Sequence, residues 1–297
     1  MRSLALVLAM LFAFAAAPAF AQDCAGMPPA EREALKAKAF AIEAPRQRGE
    51  ISRALVECLG DTDPAVRDEF AFAGISTMLR AGALDPKQTR ALMTALYASL
   101  DAPADAAGVR RPFAALALSE VARADRIAPF LKDKERAQMV ARATAYIMSV
   151  SDYRGFDDVE GWRHGVAHGA DWLLQLALNA KVDRSALESI VAAAATQIAP
   201  AAHSYIYGEH ERLARPVLFA ARRTELAGHD WSAFAETLAD PAPMKAWTEA
   251  FSSEAGLARL HNLKAFFTAL YVATATSDDA ALAPLQDASL AALKQLP

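Results

Sequence analysis

The stretch LGDTDPAVRDEFAFAGISTML, residues 59–79, contains a clear helix start and the helix that follows it. Asp63 is a residue type that caps helix N-termini, and Pro64 is favoured at the first helical position. Apolar residues then recur at the three- and four-residue spacing of one helix face, namely Val66, Phe70, Ala73, Ile75 and Leu79. The stretch therefore predicts a short turn that leads into an amphipathic helix.

Similar start signals recur along the chain. Alanine is abundant and β-branched residues are sparse, which also favours helix over strand. The predicted helices run from Pro28-Pro29 to about residue 42, over residues 49–59, from Asp85-Pro86 through Leu100, from a capping box at Ser185–Glu188, and near residues 257–274 and 278–294. This pattern predicts an all-α fold.

The predicted helices are short and are joined by brief Asp-, Pro- and Gly-containing turns, which is typical of stacked antiparallel pairs. Residues 59–67 resemble the inter-helix turn of HEAT repeats, in which an aspartate and an arginine brace neighbouring repeats. We therefore predict a HEAT-repeat-like, irregular α-α superhelix that forms one domain over residues 22–297. Asp61, Asp63 and Arg67 are expected to cap and brace it.

The N-terminal 21 residues have the pattern of a secretory signal peptide. Arg2 is followed by an apolar stretch, and Ala19-Phe20-Ala21 matches a cleavage site with small residues at both ends. We expect Gln22 to begin the mature chain, which would be exported to the periplasm or secreted. The rest of the sequence contains no other long apolar run, so no membrane span is expected after cleavage.

The net charge of −4 is mildly acidic, and lysine and arginine form no cluster. This balance argues against a nucleic acid as the partner. The two cysteines, Cys24 and Cys58, are expected to form a disulfide in an exported chain. A loop of this size contributes about 3–4 kcal/mol to stability in the chain-entropy model.

The stretch GWRHGVAHGADWLLQ, residues 161–175, has the most unusual composition in the chain. If a helix starts near Val159, four polar residues fall within an arc of about 60°: His164, His168, Asp171 and Gln175. Trp162, Val166, Leu173 and Ala177 fall on the opposite face and are expected in the core. Gly161, Gly165 and Gly169 form a third stripe, which suggests close approach of another backbone or of a ligand.

Histidines four apart on one helical face suit zinc, so a metal site is one interpretation of this face. His164, His168 and Asp171 would be ligands, and Glu209 or His210 is an alternative third ligand. The zinc-peptidase motif is absent, because Gly165 stands where that motif has its glutamate. A metal-dependent hydrolase would take its general base from Asp157, Asp158, Glu160 or Glu209.

Two other interpretations remain open for the same residues. In the first, the polar residues form a satisfied hydrogen-bonded layer, with Asp171 paired to Arg212 or Arg154. In the second, Trp162, Tyr153 and Tyr207 are stacking surfaces for a small molecule or a glycan.

We favour a binding or interaction module over the hydrolase, with an unknown protein or small molecule as its partner. Its polar site is predicted to comprise Arg154, Asp157, His164, His168, Asp171, Glu209 and Arg212.

Four stretches resemble an uncharacterised bacterial family, domain of unknown function 2785. They are residues 61–79, 109–116 (VRRPFAAL), 152–174 (DYRGFDDVEGWRHGVAHGADWLL) and 208–214 (GEHERLA), and the resemblance spans about residues 50–275. It implies a helical fold and no particular activity. The residues that it singles out are Arg154, Gly155, Gly161, Trp162, His164, His168, Asp171, Glu209 and Arg212.

Overall fold

The computed structural model describes residues 24–200 and 203–297, which form an almost entirely helical structure. A π-helical segment, Arg67–Phe72, joins α3 to α4, and one short antiparallel hairpin of β1 (Phe156–Asp157) and β2 (Gly161–Trp162) separates α7 from α8. The helices are α1 Pro29–Ala37, α2 Pro45–Cys58, α3 Pro64–Val66, α4 Ala73–Arg80, α5 Pro86–Asp101, α6 Arg110–Ile127, α7 Asp133–Ser149, α8 Gly165–Ala177, α9 Arg184–Ala195, α10 Glu209–Ala221, α11 Trp231–Ala239, α12 Glu254–Ala275 and α13 Ala283–Gln295.

Side-chain caps set several helix starts, as the sequence predicts. Asp63 accepts a hydrogen bond from the backbone N–H of Ala65 at 2.9 Å, and Asp85 forms a complete capping box with Gln88. The predicted capping box at Ser185 is wrong, because Asp183 caps α9 two residues earlier, through the N–H of Ala186. An aspartate that precedes a serine competes with it for the same free N–H groups.

The helices pack in two layers around α8. The first layer contains α6, α8, α10 and α12, in that order. The second layer contains α7 and α9, which both contact α8. Trp172 and Leu173 of α8 are fully buried. The all-α prediction is confirmed, while the HEAT-like superhelix and the single domain remain predictions.

A disulfide joins Cys24 to Cys58, as predicted, and attaches the start of the described chain to the end of α2. The predicted signal peptide, residues 1–21, lies outside the described residues. Within residues 24–200 and 203–297, no helix is both long enough and apolar enough to cross a membrane.

Candidate functional site

The helix predicted to begin near Val159 begins instead at Gly165, because a β-hairpin occupies residues 156–162. One carboxylate oxygen of Asp157 accepts the N–H groups of Val159 and Glu160, at 2.8 and 2.7 Å. Gly161 follows with a φ of +69°, a conformation that glycine adopts without a steric cost. The Asp157 side chain thus stabilises a tight turn, and the chain forms a hairpin here instead of starting a helix.

Arg67, just after α3, supports this hairpin. Arg67 is fully buried, and its guanidinium donates to the carbonyl of Glu160 at 2.8 Å and to the carboxylate of Asp68 at 2.7 Å. The same guanidinium lies 4.7 Å from the ring centroid of Phe113. Arg67 therefore braces the hairpin, whereas its predicted role between neighbouring helical repeats stays a prediction.

His164 connects the hairpin to α8 and is outside the helix. Its backbone is left-handed, with φ 52° and ψ 39°, which few residues other than glycine adopt. The side chain is 10% exposed, and the imidazole is stacked on the indole of Trp162 with centroids 4.4 Å apart. Its Nε2 atom lies 3.4 Å from Oε1 of Glu209. His164 therefore links the hairpin to the first residue of α10.

Glu209 is a buried carboxylate, only 2% exposed, at the first position of α10. Its other oxygen accepts the backbone N–H of Tyr207 at 3.0 Å. Burial raises the pKa of Glu209, but the nearby His164 and hydrogen bonds from backbone N–H groups outweigh burial and lower it overall. Glu209 is therefore a carboxylate anion at neutral pH.

His168 belongs to the packed interior of α8. Its Nδ1 atom lies 3.2 Å from the carbonyl oxygen of Pro112, and its ring meets the edge of Phe113 at a centroid distance of 5.0 Å. Burial, and then the nearby His164 and Arg212, hold the pKa of His168 well below its usual 6.5. These contacts make His168 a neutral, hydrogen-bonded imidazole in the core.

Asp171 is neutralised by Arg212 of α10. Nε of Arg212 donates to Oδ1 of Asp171 at 2.9 Å, and Nη2 donates to Oδ2, so that the pair is bidentate. This is the ion pair that the polar-layer interpretation predicts. Gln175, the fourth residue of the predicted polar face, accepts a hydrogen bond from Arg126.

The predicted zinc ligands do not come together. Both oxygens of Asp171 are bonded to Arg212, and the rings of His164 and His168 have centroids 6.0 Å apart. Among the residues that the structure describes, no three His, Cys, Asp or Glu side chains are arranged to hold a metal ion. In the structure His164 is a linking residue, His168 a core residue and Asp171 an ion-pair partner, and their role as zinc ligands stays a prediction.

The remaining predicted polar residues stabilise the hairpin and the loop before it. Arg154 pairs with Asp152, and Arg163 reaches both Asp157 and Glu160. Of the four candidate general bases, only Glu209 is buried.

Three exposed aromatic rings, Phe156, Trp162 and Tyr207, form what we term the aromatic cluster. They are 40%, 37% and 38% exposed, and Trp162 lies 4.9 Å from Phe156 and 5.7 Å from Tyr207 between ring centroids. The predicted core position of Trp162 is wrong, because that residue lies on a strand and points to the surface. Gly155 makes room for the cluster, since a Cβ atom there would overlap the ring of Tyr207.

The structure separates the three predicted stacking residues. Trp162 and Tyr207 meet in the aromatic cluster, whereas Tyr153 is half-buried and stacked on His203 with centroids 5.3 Å apart. Sequence reasoning missed Phe156, whose only signal is its place across from Trp162 in a very short strand pair.

Comparison with known proteins gives one match. Searches of curated proteins and of solved structures returned no significant match. A family model described as "Protein of unknown function (DUF2785)" matches residues 96–272, so the stretch 61–79 lies outside the matched region. The match includes the hairpin, α8 and α10 and covers more than half of the chain. The chain therefore belongs to the family described as "Protein of unknown function (DUF2785)".

Proposed function

We propose that this protein is an exported binding protein that recognises its partner through the aromatic cluster. The observation that carries the proposal is the exposure of three neighbouring rings, each more than one-third accessible: Phe156 and Trp162 of the hairpin, and Tyr207 just before α10. Aromatic residues contribute most of the energy at many binding surfaces, and contiguous exposed apolar surface often marks a site of interaction.

The contacts behind the rings support a rigid surface. Trp162 is stacked on His164, and the hydroxyl of Tyr207 donates to the carbonyl of Phe156 at 3.3 Å. Arg163 fixes the other side of the hairpin, since its Nε donates to the carbonyl of Ala107 at 2.7 Å. A surface that is already ordered loses little conformational entropy when it binds.

The charges beside the rings favour a basic partner. Asp157, Asp158 and Glu160 lie in the hairpin turn and reach solvent, whereas the side chain of Arg163 is only 7% exposed. Aromatic faces and carboxylates both attract lysine and arginine side chains. The partner proposed here is therefore a protein segment that carries basic residues.

Export is part of the proposal. The Cys24–Cys58 disulfide supports it, because disulfides persist in oxidising compartments such as the periplasm. A binding role is preferred to hydrolysis because the carboxylate of Asp171, one of the expected ligands, is already bonded to Arg212.

Site-specific photocrosslinking in the native organism tests the proposed surface. A photoreactive amino acid replaces Val159, which is 83% exposed at the hairpin turn. The matched control carries it at Glu236, an exposed residue of α11, which packs on α13. We expect a discrete protein adduct from position 159, none from position 236, and loss of the adduct when Trp162→Ala is added.

Two results would contradict the proposal. One is the absence of any adduct at position 159 in a correctly exported protein. The other is an adduct whose yield is unchanged by Trp162→Ala, which would show that the rings are not used.

A further inference from the structure

One of the three glycines in residues 161–169 has no structural explanation. Gly161 has a positive φ, and a Cβ on Gly169 would lie 3.0 Å from the ring of Tyr146. Gly165 has neither constraint, because a Cβ there would make contacts of 3.4 Å or longer, and its φ is not positive. Alanine is favoured over glycine in helices, so the first residue of α8 would be expected to be alanine unless something else requires glycine.

Gly165 borders a cavity of about 140 Å³. The atoms that a Cβ at this position would meet belong to Val150, Tyr146 and Pro112, which all line the same cavity. An alanine side chain would therefore fit only by taking up part of this space. We infer that glycine keeps the cavity open.

Among the described residues, Arg111 is the one cation of the cavity wall for which no carboxylate partner is found. Arg111 donates from Nε to the carbonyl of Leu100 at 3.1 Å and from Nη2 to the hydroxyl of Ser149 at 3.4 Å, and neither acceptor carries a charge. The two carboxylates in the wall already have donors: Asp105 accepts two backbone N–H groups at the start of α6, and Asp152 pairs with Arg154.

The N-terminus of α8 borders the cavity at Gly165. This helix has 13 residues, and no side chain of the described residues caps its N-terminus at Gly165. Free N–H groups at a helix N-terminus attract anions. Apolar groups of Ala104, Pro112 and Val150 form much of the remaining wall.

We propose that this cavity, which we term the Arg111 cavity, binds a small organic carboxylate. The carboxylate lies against Arg111 and the N-terminus of α8, and the apolar body packs on Pro112, Val150 and the ring of Tyr146. A cavity of this volume holds about six non-hydrogen atoms. The site is separate from the aromatic cluster and does not depend on the partner proposed for it.

Titration of the purified mature protein with butyrate, followed by NMR chemical shifts, tests the site. Butyramide is the neutral probe of the same size and shape. We expect butyrate to bind at least ~10-fold more tightly than butyramide, because a charged hydrogen bond is lost in the amide. Equal binding of both, or no binding of butyrate, would overturn the proposal.

Three variants identify the cavity as the place where butyrate binds. Gly165→Ala and Arg111→Gln should each weaken butyrate binding by ~10-fold or more, whereas Arg53→Gln, the same charge change at an exposed residue of α2, should change it less than ~2-fold. Gly165→Ala should melt no lower than the parent, so that its loss of binding is not loss of fold. Undiminished binding in Gly165→Ala would contradict the assignment, as would displacement of butyrate by inorganic phosphate at equal concentration.

Discussion

The start of α8, with the hairpin before it, differs from the interior of the helix that follows one turn later. At the start, His164 has a left-handed backbone, the rings of Phe156 and Trp162 are exposed, and the helix has no side-chain cap beside a cavity. In the interior, His168 and Asp171 each have a protein partner, Pro112 and Arg212. The side chains of the interior thus maintain the fold, whereas the start of α8 and the hairpin present exposed rings and a cavity that can bind a ligand.

Polar residues on one face of a helix can therefore serve the fold alone, depending on the partners that they meet in the structure. A buried polar group has to be hydrogen-bonded, and a helix packed on both sides supplies such partners. At a loop-to-helix junction the backbone itself has free N–H groups and the side chains project outward. We therefore expect substitutions in the interior to reduce stability, and substitutions at the start to reduce binding.

The largest effect on stability is expected from His168→Ala. Removing a buried ring leaves a cavity and frees the carbonyl of Pro112, which together lower the free energy of unfolding by about 3 kcal/mol. His229→Ala, in the turn before α11, is the control and should cost much less. Denaturant unfolding monitored by circular dichroism measures both, and a loss below about 1 kcal/mol for His168→Ala would contradict its core role.

The pH dependence of stability gives an independent test of His168. Its pKa in the folded protein is far below 6.5, so the unfolded chain binds this proton first as the pH falls. The contribution of His168 to stability is full above about pH 6.5 and declines by up to about 1.4 kcal/mol per pH unit below it. His168→Ala should lack this decline between pH 6.5 and 5, and an unchanged pH dependence would show that His168 titrates normally.

A smaller effect is expected from Gly169→Ala. The new Cβ would lie 3.0 Å from the ring of Tyr146 and 3.2 Å from Ile147, so crowding outweighs the gain in helix propensity. We expect a loss of about 1 kcal/mol, with butyrate binding retained. Gly165→Ala should show the opposite pattern, with stability retained and butyrate binding lost. If the two variants behave alike, the interior and the start of α8 do not differ in function as described.

Asp171→Asn should have a still smaller effect. The ion pair with Arg212 is partly exposed, with side-chain accessibilities of 14% and 33%, so its loss costs roughly 1 kcal/mol or less. Crosslinking from position 159 should not change. A large loss of the adduct with intact stability would instead assign Asp171 to the binding site.

The sequence predicts the parts of this structure that depend on local chemistry. Asp63 and Asp85 act as helix caps as expected, and Cys24 pairs with Cys58. The sequence leaves Arg212 and Arg154 as alternative partners of Asp171, and the structure pairs it with Arg212.

The start of α8 was mispredicted for a specific reason. Helical periodicity continues through residues 159–164, but Asp157 closes a turn and Gly161 has a positive φ, so the chain forms a hairpin there. Placing Trp162 on the core face followed from that error. The Arg111 cavity could not be predicted, because it lies between residues of α6, α7 and α8 that approach one another only in the folded chain.

Trp162→Ala is the variant whose binding to the partner should change most, with little change in stability. The most direct measurement is the yield of the position-159 adduct with and without Trp162→Ala. It is compared with the free energies of unfolding of the two proteins. We predict that the adduct is lost while the unfolding free energy changes by less than about 1 kcal/mol, since the ring is more than one-third exposed. A normal adduct in a protein destabilised by about 2 kcal/mol or more would make Trp162 a structural residue and contradict the assignment of the aromatic cluster as the binding surface.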